Sequence, residues 1–295
     1  MKKYALIYNP VSGDARFKVR LDEVIEYLQL AGSLVLPFRT RFKGDIRAFI
    51  SQASGFAADG FIVAGGDGTV HEVINAMLAE AIDAPLGIIP SGTCNDFASH
   101  LGFGKDLPGC LRAVTAGSWR TVDVGRVNGE YFLNVASAGL LTSVAHSVDT
   151  SLKNTLGRMA YYLKGLGELP SFRSLHVKLT ADGQIIEDDI LLFLVMNSGM
   201  VGSFPTLAPE AKIDDGKLDV LIVNKCSISE LMGLFISIFA GRHTSSSHIR
   251  HLQAANIYIE CEEPVESDLD GELGPALPLA ISTITNKLKV FRLVP

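Results

Sequence analysis

The sequence predicts an α/β N-terminal domain built on a parallel sheet, followed by an antiparallel, β-rich C-terminal domain. Three observations predict it. Up to Trp119, strand-like and helix-like segments alternate, the pattern of a parallel sheet with right-handed crossovers. Beyond Trp119, short strands flank Asn128-Gly129 and Asp182-Gly183, pairs favoured in tight hairpin turns. The chain has 295 residues, 47% of them hydrophobic. At roughly 150 residues per domain, that is enough for about two cores.

In chain order, Tyr4–Tyr8 reads as a buried strand, followed by the loop NPVSGD and a helix over about Arg16–Leu30, where Val19, Val24, Tyr27 and Leu28 recur at helical spacing. Ser33–Phe38 is the second strand and Asp45–Ser54 the second helix. Phe61–Ala64 is a third strand, running into GGDGT and a helix through Val73, Ile74, Met77 and Leu78. Leu86–Ile89 is a fourth, ending in PSGTCNDFA. In the second half, Val122–Val127 pairs with Tyr131–Val135, and Leu175–Thr180 with Ile185–Met196. Lys217–Val223, Ile257–Cys261 and Lys287–Leu293 add strands, and Leu156–Leu166 and Ser229–Ala240 read as helices. The last strand suits either domain.

Composition excludes several classes. Lys and Arg total 26 against 32 Asp and Glu, a net charge of −6, which argues against a nucleic-acid partner held by bulk charge. The longest apolar runs, Ile190–Met196 and Leu231–Ala240, fall short of the roughly 20 residues a membrane-spanning helix needs. MKKYALIYNPVSG lacks the long apolar core of a signal peptide. Cys94, Cys110, Cys226 and Cys261 are scattered with no CxxC pair, unlike a zinc knuckle or disulfide framework. The expectation is a cytoplasmic protein.

Three loops sit at the carboxyl ends of predicted parallel strands: Asn9–Asp14, Gly65–Thr69 and Ser91–Asp96. Open α/β sheets bind ligands at that edge. Glycine lets backbone N–H groups approach an anion, and a helix N-terminus adds partial positive charge. Asn95 and Asp96 are placed to cap the following helix. No lysine follows these glycines as in Walker A, and GxGxxG is missing, so a phosphate site here uses another scheme.

Together, GGDGTVHEV at 65–73, PSGTCNDFA at 90–98 and DGE at 270–272 resemble the diacylglycerol kinase catalytic family, in its soluble bacterial branch related to sphingosine kinases. NPVSG at 9–13 is similar to that family's first nucleotide loop. GGDGT alone is shared with NAD kinases and, more loosely, phosphofructokinases; PxGTxNDFA with a late DGE is more specific. The resemblance implies a nucleotide domain of residues 1–121 and 283–295, a β-sandwich lipid-substrate domain of residues 122–282, and an active site in the cleft between them. It implies ATP held by Asn9, Pro10, Val11, Ser12, Gly13, Thr40, Gly65, Gly66, Asp67, Gly68, Thr69, Val70, His71, Gly92 and Thr93, with Asn95 and Asp96 beside them. Asp67 would orient the Mg²⁺–phosphate unit and Glu272 would accept the hydroxyl proton. A structural Mg²⁺ would be held by the Asp215 carboxylate and the carbonyls of Lys212 and Lys217. His71 stands where Asn is usual, and Ser99 where a basic residue often follows NDFA.

The residues' own chemistry is consistent with this. Phosphoryl transfer needs the phosphate and the acceptor hydroxyl held in line, with the spreading charge neutralised. A carboxylate within reach can accept the proton late. Asp268, Asp270 and Glu272 alternate across a predicted extended loop, where side chains two apart share a face. Glu272 is the first choice of base and Asp270 the second. The bland reading is a solvated acidic turn, as Asp215-Gly216 is equally an ordinary turn. Asp123 is either part of the site network or a buried turn residue. His243, His248 and His251 match no common zinc spacing and are expected on a partly exposed surface beside Arg242 and Arg250. Ser137 has no GxSxG context.

The expected function is an ATP- and Mg²⁺-dependent lipid kinase, its acceptor diacylglycerol or a long-chain relative. Such an enzyme meets the membrane surface transiently, and a homodimer is compatible with it. The rivals are an NAD-kinase-like enzyme with a soluble acceptor and a catalytically silent nucleotide-binding regulator.

Overall fold

In the computed structural model the described residues are 1–140, 174–202, 207–239, 243 and 246–293. The helix expected near Leu156–Leu166 lies outside them. The chain divides into two compact units, Met1–Val124 with Ile213–Asp215 and Ile284–Pro295, and Gly125–Lys212 with Gly216–Thr283.

The first unit alternates strand and helix: β1 (Lys2–Tyr8), α1 (Phe17–Leu30), β2 (Ser33–Arg39), α2 (Asp45–Ala53), β3 (Gly60–Gly65), α3 (Asp67–Ala79), β4 (Leu86–Pro90), α4 (Asp96–His100) and α5 (Leu107–Ala116). The strands pair in parallel in the order β2-β1-β3-β4. All of β3 is buried, as are Tyr4–Tyr8 of β1, as expected where helices cover both faces of a parallel sheet. Register fixes what happens at the carboxyl edge. Tyr8 lies opposite Arg39 and Ala64, and Gly65 opposite Pro90. The loops leaving β1, β2, β3 and β4 therefore start side by side.

The second unit is antiparallel. It is entered through β5 (Trp119–Val127), whose turn leads to β6 (Glu130–Phe132) and then β7 (Val135–Gly139). It continues with β8 (Leu175–Ala181), β9 (Gln184–Met196), β10 (Leu218–Asn224), α6 (Ile228–Phe239), β11 (Ile249–Ala254), β12 (Asn256–Cys261), β13 (Glu266–Leu269), β14 (Glu272–Ala276) and β15 (Leu279–Phe291). Ile190–Met196 is apolar throughout because it is buried on both faces. Ile190, Phe193 and Val195 enter one core, while Leu191, Leu192, Leu194 and Met196 enter another that includes Leu231, Leu234, Phe235 and Ile238 of α6. The run Leu231–Ala240 is thus a packed helix over its described part, and no described helix is long and apolar enough to cross a membrane. The last strand serves both units: Leu279–Ser282 pairs with β12, and Val290 pairs in parallel with Leu86 of β4.

Two sequence expectations are corrected. The strand expected over Tyr131–Val135 is broken at Leu133–Asn134, between β6 and β7. The acidic segment Asp268–Glu272 is no extended loop but a hairpin: Leu269 pairs with Glu272, and the turn residues Asp270 and Gly271 have φ of +55° and +92°. This is the left-handed pair that closes the hairpins at Asn128-Gly129 and Asp182-Gly183. A turn between them removes the two-residue alternation, so the three acidic side chains follow separate paths.

Candidate functional site

At the carboxyl edge of the first unit, the loops are locked to one another. The Asn9 amide N–H donates to Ala64 O at 2.9 Å, and its side-chain Nδ2 donates to Thr69 Oγ1 at 3.1 Å. The Asn9 Oδ1 accepts the Val11 N–H at 3.1 Å. Thr40 N–H donates to Tyr8 O at 3.0 Å, which sets Thr40 beside the Asn9 loop. The following turn is tied to α3 by Gly44 N–H to Glu72 Oε1 at 2.7 Å. Ser91 N–H donates to Gly65 O at 2.9 Å. Gly13 has φ of +59°, and a Cβ there would lie 2.3 Å from Ser91 O. Asn9, Ser12, Gly13, Gly65, Gly66, Thr69, Ser91 and Gly92 are thus one assembly. Pro10, Val11, Thr40, Gly68, Val70, His71 and Thr93 lie on the same loops or on the first turn of α3. His71 is held at its ring by Asn75, whose Nδ2 lies 3.2 Å from Nε2.

The capping expectation for Asn95 is corrected. Asn95 makes no side-chain cap bond to α4. Its Oδ1 accepts Gly92 N–H and its Nδ2 donates to Gly92 O, both at 2.8 Å, so it folds the Ser91–Gly92 turn from a left-handed backbone (φ +55°). The start of α4 is served instead by Asp67, whose Oδ2 accepts the Asn95 N–H at 2.7 Å. Burial first, and then the neighbouring Asp96 charge, push the Asp67 carboxyl up to about 6; the amides of Asn95, Phe97 and Asp96 oppose them. Ligand atoms of Asp67, Cys94 and Asp96 lie within 4.8 Å of one another. Two carboxylates at this spacing suit a hard divalent cation, and the thiol does not. Cys94 carries no motif of its own in the sequence.

In the second unit, Glu272 opens β14, half-buried, and Asp268 accepts Gly271 N–H at 2.8 Å. Asp270 turns the other way. Its Oδ2 accepts the Leu133 N–H at 2.7 Å, and its Oδ1 accepts those of Asn134 and Val135 at 2.8 and 3.0 Å.

Lys212, Asp215 and Lys217 lie on the segment before β10, Asp215 exposed and the two lysines half-buried. Ile213 O accepts the Asp123 N–H at 2.7 Å. Asp123 is buried, its carboxylate accepting Asn286 N–H at 2.8 Å, so it is an internal tie of the first unit. The three histidines do not form a surface cluster. His243 is fully buried with Nε2 2.9 Å from Leu207 O, His248 lies 3.6 Å from Glu230, and His251 lies 2.7 Å from Asp219 Oδ1.

An edge that gathers glycine-rich turns and helix starts suits a phosphorylated ligand, which puts the chain in the class of phosphate-binding α/β proteins. A family model of the diacylglycerol kinase catalytic domain matches residues 3–127, and one of the YegS C-terminal NAD kinase beta sandwich-like domain matches residues 134–292. A diacylglycerol kinase of Bacillus subtilis is 38% identical over 279 residues, covering 94% of this chain and 92% of the relative. One of Staphylococcus aureus is 33% identical over 290 residues, 98% and 92% of the two chains. A crystal structure of a Bacillus anthracis diacylglycerol kinase superposes with a TM-score of 0.82 at 31% identity, covering 99% of this chain and 97% of the other. The chain belongs to the diacylglycerol kinase catalytic family, and its enzyme class is lipid kinase.

Proposed function

We propose that the protein transfers the γ-phosphate of ATP, with Mg²⁺, to a hydroxyl of diacylglycerol or a related long-chain lipid at the cytoplasmic membrane surface. The observation that carries this reading is the convergence of the Asn9–Gly13, Gly65–Thr69 and Ser91–Asn95 loops on one sheet edge. The relatives from Bacillus subtilis and Staphylococcus aureus, both diacylglycerol kinases, support this acceptor.

In this reading the ATP phosphates lie against the first-turn amides of α3, Asp67–Thr69, beside the Ser91–Gly92 turn that packs on Gly66. Asn9 and Thr40 border the nucleotide, with His71 on the first turn of α3. Asp67 and Asp96 are the oxygen donors for Mg²⁺, and a bound ion there offsets phosphate charge. The Lys212–Lys217 segment takes a second, structural Mg²⁺ through Asp215. Glu272 accepts the proton of the attacking hydroxyl, which needs only an ordinary carboxylate because the proton departs late.

The test is transfer of labelled γ-phosphate into dioleoylglycerol, a bacterial lipid extract and NAD, with wild type and Glu272→Gln in parallel. The expected result is a labelled lipid with wild type and a loss of about 10²- to 10⁴-fold in Glu272→Gln. Labelled NAD instead would move the protein to a soluble acceptor. ATP binding with no transfer to any acceptor would leave a nucleotide-binding regulator.

A further inference from the structure

The break between β6 and β7 has a specific occupant. Three consecutive backbone amides, Leu133, Asn134 and Val135, all donate to the Asp270 carboxylate, and the Asp270 amide returns a bond to Val135 O at 2.9 Å. Successive N–H groups converging on one anion form an anion-binding nest, here filled by a side chain from 135 residues further along the chain. A continuous strand would direct alternate amides to opposite sides. The interruption of β6–β7 at Leu133–Asn134 is what lets three of them meet one carboxylate.

The nest is itself held from behind. Asn134 Oδ1 accepts Ser198 Oγ at 3.0 Å, Asn134 O accepts the Asn197 N–H at 2.9 Å, and Leu133 O accepts Asn197 Nδ2 at 3.1 Å. Asn134, Asn197 and Ser198 are 4%, 1% and 0% exposed. Polar groups buried in a β core are costly unless hydrogen-bonded, and these bonds tie several such groups together, which stiffens the segment they hold. This one ends on the turn residue two positions before Glu272, and Asp268 closes the same turn through Gly271 N–H.

The geometry points to Asp270 as a positioning residue, not a second base: with Asn134, Asn197 and Ser198 it forms an internal clamp that fixes the hairpin presenting Glu272. The inference rests on Glu272 as the proton acceptor. Asp270→Asn is nearly isosteric, yet it must place an NH₂ against at least one amide donor. Ser198→Ala is milder: it removes one hydroxyl, which lies 3.0 Å from both Asn134 Oδ1 and Met200 O.

The experiment measures kcat and KM for dioleoylglycerol in detergent micelles with labelled ATP, for Asp270→Asn, Ser198→Ala, Glu272→Gln and the Asp270→Asn/Glu272→Gln double variant. Circular dichroism and nucleotide affinity control for folding. The expected result is a kcat loss of about 10- to 100-fold for Asp270→Asn and about 3- to 10-fold for Ser198→Ala, with KM within about twofold. Asp270→Asn should add nothing in the Glu272→Gln background, as residues acting as a unit are non-additive. Losses that multiply, or a kcat unchanged in both clamp variants while Glu272→Gln is inactive, would overturn the clamp alone. If Glu272→Gln remains active and Asp270→Asn does not, the base assignment falls as well. Should Asp270→Asn fail to fold, Ser198→Ala carries the same comparison.

Discussion

Gly66 and Gly92 meet backbone to backbone: a Cβ built on Gly92 would lie 2.4 Å from Gly66 Cα. The start of α3 and the Ser91–Gly92 turn, 26 positions apart in sequence, therefore share a surface that admits no side chain. Gly92→Ala has to separate the two loops, since the nearest atom, Gly66 Cα, is backbone. We expect a destabilisation of about 1–3 kcal/mol, the usual range for overpacking, and a loss of nucleotide affinity. Thermal melts with and without Mg²⁺–ATP measure both; an unchanged ATP-induced shift would separate this contact from nucleotide binding.

Asp67 should make the metal-free protein less stable at neutral pH. Its pKa is raised from 3.8 to about 6 on folding by burial and by Asp96. The charged form is therefore the one the fold disfavours, and the penalty is present above pH 6 and relieved as pH falls toward 3.8. Asp67→Asn keeps an oxygen for the Asn95 N–H and has no charge. Its Tm should exceed wild type at pH 8 by a margin that shrinks at pH 5. A margin that does not vary with pH would remove the titration of Asp67 as its cause.

His251 carries the opposite sign. The hydrogen bond to buried Asp219 holds its pKa above 6.5, aided by the Asp219 and Glu210 charges and opposed by burial. Gln253 shares the same carboxylate at 3.2 Å. This contribution is fully present below the unfolded value and is lost as pH rises through the folded one. His251→Gln should cost about 1 kcal/mol at pH 6, discounted for partial exposure, and less at pH 9. Urea melts at the two pH values check it, and a larger cost at pH 9 would contradict the assignment.

Asp96 and Cys94 should differ in their effect on metal dependence although both lie near Asp67. A thiol is a poor ligand for a hard cation. Cys94→Ala should leave the Mg²⁺ concentration for half-maximal transfer within about threefold, whereas Asp96→Ala should raise it more than tenfold. EDTA should stop transfer in every case. Equal shifts in the two variants would indicate that neither side chain approaches the ion.

How much of this was legible in the sequence depended on range. The parallel strands, the helices and the glycine-rich loops are each contiguous, so periodicity and turn chemistry expose them. Asp270-Gly271 carried the same turn signal as Asn128-Gly129 and Asp182-Gly183, but the alternating acids around it favoured an extended reading. The hairpin emerges only once Leu269 finds Glu272.

The sequence by itself determined which segments become strands, helices and phosphate-type loops, because those choices rest on local backbone preference and the spacing of apolar side chains. Tertiary structure alone decided which carboxylates meet which amides. Asp67 serves the start of α4 at Asn95, and Asp270 serves the broken strand at Leu133–Val135. An unpaired backbone N–H donates to whatever oxygen the packed chain brings within about 3 Å, and no local pattern encodes that partner.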